Sequence, residues 1–137
     1  MNAGMTNNSA PTPRAIIHTD DAPAAIGTYS QAVRAGNLVF MSGQIPLDPV
    51  SMQIVSDDPT QQIHQVFRNL RSVAAAAGCT LDQAVKVTVF LTDLGHFALV
   101  NTAMAEYFNT PYPARAAIGV AALPRGALVE IEAILAI

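Results

Sequence analysis

Apolar residues recur at steps of three and four through Ile63, Val66, Phe67, Leu70, Val73, Ala74 and Ala77. That spacing puts them on one stripe, the buried face of an α-helix. Asp58 ahead of the stripe is a capping residue. Pro59 suits the first helical position, and Gln61 completes a capping-box pattern. Gly78 supplies the C-terminal stop. The thin flank Ala74 to Ala77 permits close packing on a sheet. A second helix is predicted over Leu94 to Phe108, capped by Asp93, with the stripe Leu94, Phe97, Val100, Met104 and Phe108. Two prolines in Asn109 to Pro113 end it.

Elsewhere the period is two. In Ala84 to Leu91, Val85, Val87, Val89 and Leu91 share one face, and Lys86 and Thr88 lie on the other with Ala84 and Phe90. This reads as a strand. Arg14 to His18 is a short β-like run, followed by a turn-rich loop from Asp20 to Gly27. Ser30 to Ala35 and Leu38 to Ile45 are two strands joined by Gly36-Asn37, a two-residue hairpin signal. Pro46 to Asp57 is a loop. Ala114 to Ala121 and Leu128 to Ile137 are the last strands, joined by Leu123-Pro124-Arg125-Gly126. The order β, ββ, α, β, α, ββ predicts an α+β layer, a mixed sheet with both helices on one face. The other face would then be apolar and uncovered in a monomer, which predicts an oligomer.

Composition supports that expectation. The chain has 137 residues, one domain's worth, and only 12% are charged. A typical domain is about 25% charged, and obligate interfaces shed charge. The net charge is −3, which argues against a general nucleic-acid binder. One cysteine, Cys79, rules out an intrachain disulfide and fits a reducing cytosol, as it fits a disulfide-free secreted protein. No apolar run is long enough to span a membrane. Met1 to Pro13, rich in Asn, Thr, Ala and Pro, lacks the apolar core of a signal peptide and is expected to be a disordered tail. Residues 14–137 form the single domain.

Candidate chemistry is sparse. His18, His64 and His96 match no metal-ligand spacing, and the two later ones fall near the solvent sides of their helices. Cys79, just past a helix stop, reads as a partly buried inert thiol. Arg115 is a lone cation in the apolar run Pro113-Ala114-Arg115-Ala116-Ala117-Ile118. If buried it must be paired, and its planar fork suits a carboxylate. It can equally serve a structural ion pair or an interface. Glu130 and Glu132 point to one face of the last strand, about 7 Å apart. One could balance Arg115 and the other act as a general base, or both could line a solvated face. Tyr29 beside Gly27 and Ser42 before Gly43 are polar groups next to flexible turns.

Several segments together carry a resemblance. Ala22-Pro23-Ala24-Ala25-Ile26-Gly27-Thr28-Tyr29-Ser30-Gln31 resembles the opening motif of the reactive-intermediate (enamine/imine) deaminase family, RidA, also called YjgF. Phe40-Met41-Ser42-Gly43-Gln44-Ile45-Pro46 looks like its second motif. Ala76-Ala77-Gly78, Val85 to Leu91, Asp93-Leu94, Tyr112-Pro113-Ala114-Arg115, Leu123-Pro124 and Val129-Glu130-Ile131-Glu132-Ala133 follow in family order, covering about Ile17 to Ile137.

The resemblance implies a chorismate-mutase-like α+β fold and a homotrimer whose sheets pack their bare faces into a central barrel-like core. It implies sites in the clefts between subunits. The implied reaction is cofactor-independent hydrolysis of 2-imino acids and their enamine tautomers to 2-keto acids and ammonia. Arg115 matches the family arginine that grips the substrate carboxylate. Glu130 matches the glutamate that orients or activates water. Tyr29 and Ser42 match cleft-lining residues, Asn101 a helix position often polar, and Glu132 reads as structural support. Many members carry Cys where this chain has Ala117, a position that can contribute its backbone carbonyl. Gly119 replaces a commonly larger polar residue. Three other readings compete: a small-carboxylate binding protein without turnover, a holdase-type chaperone, and a ribonuclease, which the charge and the few aromatics oppose.

Overall fold

The computed structural model describes residues 13–137. The expectation of a disordered tail therefore falls, Pro13 apart, outside the described residues. Six strands and two α-helices run in the order β1 (Arg14–Ile17), β2 (Ala32–Ala35), β3 (Leu38–Gln44), α1 (Pro59–Ala76), β4 (Ala84–Leu91), α2 (Phe97–Tyr107), β5 (Ala114–Gly119) and β6 (Val129–Ala136). The strands form one sheet in the order β1-β2-β3-β6-β4-β5. Only β4 and β5 are parallel, joined across α2; the other neighbours are antiparallel. The sheet is mixed, as the residue pattern predicts.

Local chemistry explains the elements. Asp58 caps α1 by accepting the Gln61 N–H at 2.9 Å, an interaction of about 1 kcal/mol. Gly36 takes φ 61°, and Ala35 pairs with Leu38, so the hairpin loop is two residues long. The predicted α1 stripe is buried from Ile63 to Ala74. Its core partners are Val39 and Met41 of β3, Val87, Val89 and Leu91 of β4, and Val129, Ile131, Ala133 and Leu135 of β6. Among the described residues, no helix is long and apolar enough to cross a membrane.

Three sequence expectations need correction. A register shift between Ala84 and Lys86 throws Val85 off the buried face, where strict alternation placed it, and leaves it exposed. Such a bulge inserts one residue and breaks the period of two. The second helix begins as a 3-10 turn, Leu94–His96, whose Asp93 cap accepts from the Gly95 N–H at 2.8 Å, and its Leu94 is exposed. His64 sits between the helices, its Nδ1 3.0 Å from the Tyr107 hydroxyl, and His96 keeps Nδ1 sealed and unpartnered. Neither histidine is on a solvent side.

The face away from the helices carries Ile16, Val33, Phe40 and Ile134 in one cross-strand row, through paired positions. Ile16, Phe40 and Ile118 are 57%, 45% and 43% exposed in the single chain. That is an apolar sheet face open to water.

Candidate functional site

Arg115 and Glu130 lie on opposite faces of the sheet. Arg115 is level with Val87 of β4, which faces the core. Glu130 is level with Phe90, three residues further along, and therefore on the other face. They sit on β5 and β6 with β4 between. One chain does not bring the two groups together.

Each borders its own hollow. The larger, about 500 Å³, includes Tyr29, Ser42, Gly43, Gln44, Arg125, Glu130 and Glu132 in its lining. The smaller, about 430 Å³, is lined by Asn101, Met104, Ala105, Tyr112, Pro113 and Arg115.

In the smaller hollow Arg115 is exposed, and no carboxylate among the described residues pairs with it. Among the described residues the ion pairs within 4.0 Å are His18–Asp20, His64–Glu106 and His96–Asp93. The idea that Glu130 or Glu132 neutralises Arg115 is thus corrected. The guanidinium instead rests on neutral groups of α2. Nη1 donates to Asn101 Oδ1 at 2.6 Å and to the Met104 thioether at 3.4 Å. The guanidinium carbon stacks over the Phe97 ring, 4.7 Å from its centroid. This cradle fixes the fork and leaves its charge uncompensated, a state suited to an anionic ligand. Ala117 and Gly119 follow on the same face. Ala117 packs against the core, and a Cβ on Gly119 would stand 3.1 Å from Leu94 Cγ.

In the larger hollow Glu130 is half-buried. Burial raises its pKa above the ordinary glutamate value, and the neighbouring Glu132 charge raises it further. A carboxylate so shifted is suited to proton transfer. Its end packs against the backbone of Gly43, in space that any side chain there would need. Ser42 donates through Oγ to the Ser30 carbonyl at 2.6 Å, which ties the strand to the preceding loop. Tyr29 is exposed, and its hydroxyl lies 3.4 Å from the Ile26 N–H that it accepts.

The loops around this hollow hang on buried amides. Gln31 holds the Thr19 to Pro23 segment through the carbonyls of Thr19 and Pro23 at 3.0 and 2.8 Å. Asn69 of α1 donates to the Leu47 carbonyl at 3.0 Å. Gln62 accepts from the Leu128 N–H at 2.9 Å, two residues before Glu130. In the sequence Gln62 and Asn69 are polar positions beside the apolar stripe of α1 and look solvated, and Gln31 stands in a loop where no periodicity marks it as buried. Arg125 is just as easily missed. In the sequence it stands in a connector, yet it lines the hollow and donates to the Met52 carbonyl at 2.6 Å. A lone charge in a Pro–Gly turn of so charge-poor a chain was the available signal. Glu132, read as support, also lines the hollow. Among the described residues no cluster of three or more His, Cys, Asp or Glu is placed to hold a metal ion.

Comparison with known proteins gives a consistent picture. The family model described as "Endoribonuclease L-PSP" matches residues 19–137. A RutC family protein of Sinorhizobium fredii is 50% identical over 121 residues, covering 88% of this chain and 96% of that protein. The 2-iminobutanoate/2-iminopropanoate deaminase of Mus musculus is 49% identical over 121 residues, covering 88% and 90%. Among solved structures, RidA from an Antarctic Psychrobacter superposes with a TM-score of 0.87 at 50% identity, covering 90% of this chain and 99% of that one.

Proposed function

The chain belongs to the endoribonuclease L-PSP family, the YjgF/RidA family, and from that membership we propose that it hydrolyses 2-imino acids and their enamine tautomers to 2-keto acids and ammonia. The observation that carries this reading is the pair of half-sites. One presents an uncompensated guanidinium, the other a carboxylate of raised pKa, and a 2-imino acid needs both.

The half-sites lie on opposite faces of one chain, so the complete site is proposed to form between subunits of a homotrimer. The open apolar sheet face supports that assembly. Arg115 of one protomer grips the substrate carboxylate through its free donors. Asn101 acts through Arg115 rather than on the substrate. Glu130 of the neighbouring protomer accepts a proton from water. The water oxygen bonds to C2 of the protonated imine, and the C=N electron pair returns to nitrogen. The carbinolamine then collapses. Glu130 returns its proton to the amine nitrogen, the C–N bond breaks and ammonia leaves. The hydroxyl proton passes to solvent, and the keto acid remains. No cofactor enters, because the imine carbon is already electrophilic. Tyr29 and Ser42 shape the cleft, and Ala117 offers its backbone carbonyl toward the imine nitrogen.

The test is a coupled assay in which an amino-acid oxidase generates 2-iminobutanoate and semicarbazide traps the free imine. Faster imine loss with this protein, abolished in Arg115→Ala and Glu130→Gln, is the expected result. Ligand binding without turnover of any short imino acid would instead establish the carboxylate-binding reading, with Ala117 the first position to restore to Cys.

A further inference from the structure

A guanidinium carries its N–H donors on three nitrogens, one on Nε and two on each terminal nitrogen. In Arg115 the contacts are not spread evenly over them. Nη1 meets two acceptors, both on α2: Asn101 Oδ1 at 2.6 Å and the Met104 sulfur at 3.4 Å. The Phe97 ring covers one face of the group, its centroid 4.7 Å from Cζ. Nε and Nη2 make no hydrogen bond to any of the described residues, and no carboxylate among them pairs with the group.

A carboxylate can meet a guanidinium through two parallel N–H bonds in two ways. It lies end-on across Nη1 and Nη2, or side-on across Nε and Nη2. The end-on way needs a hydrogen of Nη1. Met104 is the unexpected member of this cradle. It is 5% exposed and packs in the core, where leucine would fill nearly the same volume. Its sulfur nevertheless meets the side chain of an exposed arginine. A thioether accepts a hydrogen bond, although weakly, and leucine accepts none.

We propose that Met104 is a positioning residue, which directs the substrate carboxylate to one edge of Arg115. With Asn101 it takes up the two hydrogens of Nη1 and closes the end-on edge. The Nε–H and Nη2–H pair is left for the ligand. The carboxylate then lies side-on in the guanidinium plane, one oxygen on each nitrogen, and the rest of the 2-imino acid extends away from Asn101 and Met104. The substrate in this account rests on the deaminase reading. The choice of edge is readable from a bound keto acid alone.

The first test follows the Arg115 side chain of the wild type by NMR during titration with 2-oxobutanoate, its signals identified by their absence from Arg115→Lys. The Nε–H signal and one of Nη2 are expected to move downfield and saturate while those of Nη1 hold. Movement of Nη1 with Nε–H unmoved overturns the proposal. Arg115 signals that do not respond at all overturn it together with the role of Arg115. The second test is kinetic. Met104→Leu keeps the volume and removes the acceptor, so the thermal midpoint is expected to change little. KM for 2-iminobutanoate is expected to rise about three- to tenfold, the scale of one modest hydrogen bond, with kcat less affected. Met104→Gln restores an acceptor and should bring KM back toward the wild-type value. Wild-type KM in Met104→Leu overturns the role of Met104 and leaves the deaminase reading standing. A raised KM that Met104→Gln does not lower also overturns it, because it marks lost packing rather than a lost acceptor. Wild-type protein that turns over no imine overturns the deaminase reading, and the titration then decides the edge by itself.

Discussion

The Glu130 carboxylate fills the place of the side chain that Gly43 lacks. A Cβ on Gly43 would overlap Glu130 Oε2 and stand 3.0 Å from the carboxyl carbon and 3.1 Å from Cγ. Glycine at this position is therefore a condition for where the carboxylate sits. Gly43→Ala is expected to push the flexible end of Glu130 aside while the sheet stays intact. The thermal midpoint should move little. Imine hydrolysis should fall by about 10- to 100-fold, the scale of a small misplacement of a reacting group. Steady-state kinetics beside a melting curve checks both, and undiminished kcat would detach the position of Glu130 from catalysis.

The opposite faces occupied by Arg115 and Glu130 lead to a complementation experiment. Arg115→Ala and Glu130→Gln are each expected to be inactive alone. Unfolded together and reassembled at equal amounts, they should regain activity. In a ring of head-to-tail contacts, random assortment pairs an intact Arg115 with an intact Glu130 at about a quarter of the sites. Recovery near that fraction supports sites shared between protomers. A mixture as dead as its components would show that one protomer supplies both groups.

The cradle of Arg115 can be reversed in sign. Its partners Asn101, Met104 and Phe97 are all uncharged, so none of them neutralises the cation. Asn101→Asp would place a carboxylate at the 2.6 Å position and compete with the substrate. KM for 2-iminobutanoate is expected to rise at least tenfold, about 1.4 kcal/mol of binding, with kcat less affected. Asn101→Leu should raise KM less, because it removes a tether without adding a rival. A larger effect from Leu than from Asp would contradict the cradle's electrostatic role.

Much of this was legible in the residues. The α1 stripe, the Asp58 cap, the Gly36-Asn37 hairpin and the span of β4 follow from periodicity and turn chemistry, because each is a local property. The bulge at Val85 was not legible, since a register shift is settled between two strands. The lack of an ion pair at Arg115 was equally hidden. Its neighbours on α2 are brought up by the crossover between β4 and β5, and its face relative to Glu130 follows only from the strand order. Gln44 and Asn69 looked like ordinary polar residues. Their burial depends on a loop folding over the end of β3.

Glu130 has a pKa raised by burial and then by the Glu132 charge, and two pH effects follow. If Glu130 is the proposed base, it must be ionised to act, and the acid limb of the kcat profile should lie above the ordinary glutamate range. Glu132→Gln removes the smaller contribution and should move that limb to lower pH. The stability sign is opposite to that of a salt-bridged carboxylate. A folded pKa above the unfolded one means that the ionised group is disfavoured in the native state. Its contribution is intact in acid and is lost as pH rises through the folded pKa. Glu130→Gln should therefore melt higher than wild type at neutral pH, with the advantage gone below the range where an unperturbed glutamate titrates. Melting curves across pH check this, and a variant less stable at neutral pH would show that ionised Glu130 has a native partner.

Asn69 ties α1 to the wall of the larger hollow, and its removal should be felt in both stability and binding. Its amide donates to the Leu47 carbonyl at 3.0 Å and approaches the Ile45 carbonyl at 3.5 Å, and both residues line the hollow. Leucine is close in size but cannot donate, so Asn69→Leu would leave the buried Leu47 carbonyl without its partner. The cost of such an orphan is about 1–3 kcal/mol, readable in a denaturant titration as a lower midpoint at unchanged slope. The wall segment Ile45 to Leu47 would lose its anchor while Glu130, Gly43 and Arg115 keep their own supports. KM should therefore rise more than kcat falls. If stability drops while KM holds, Asn69 serves the core alone.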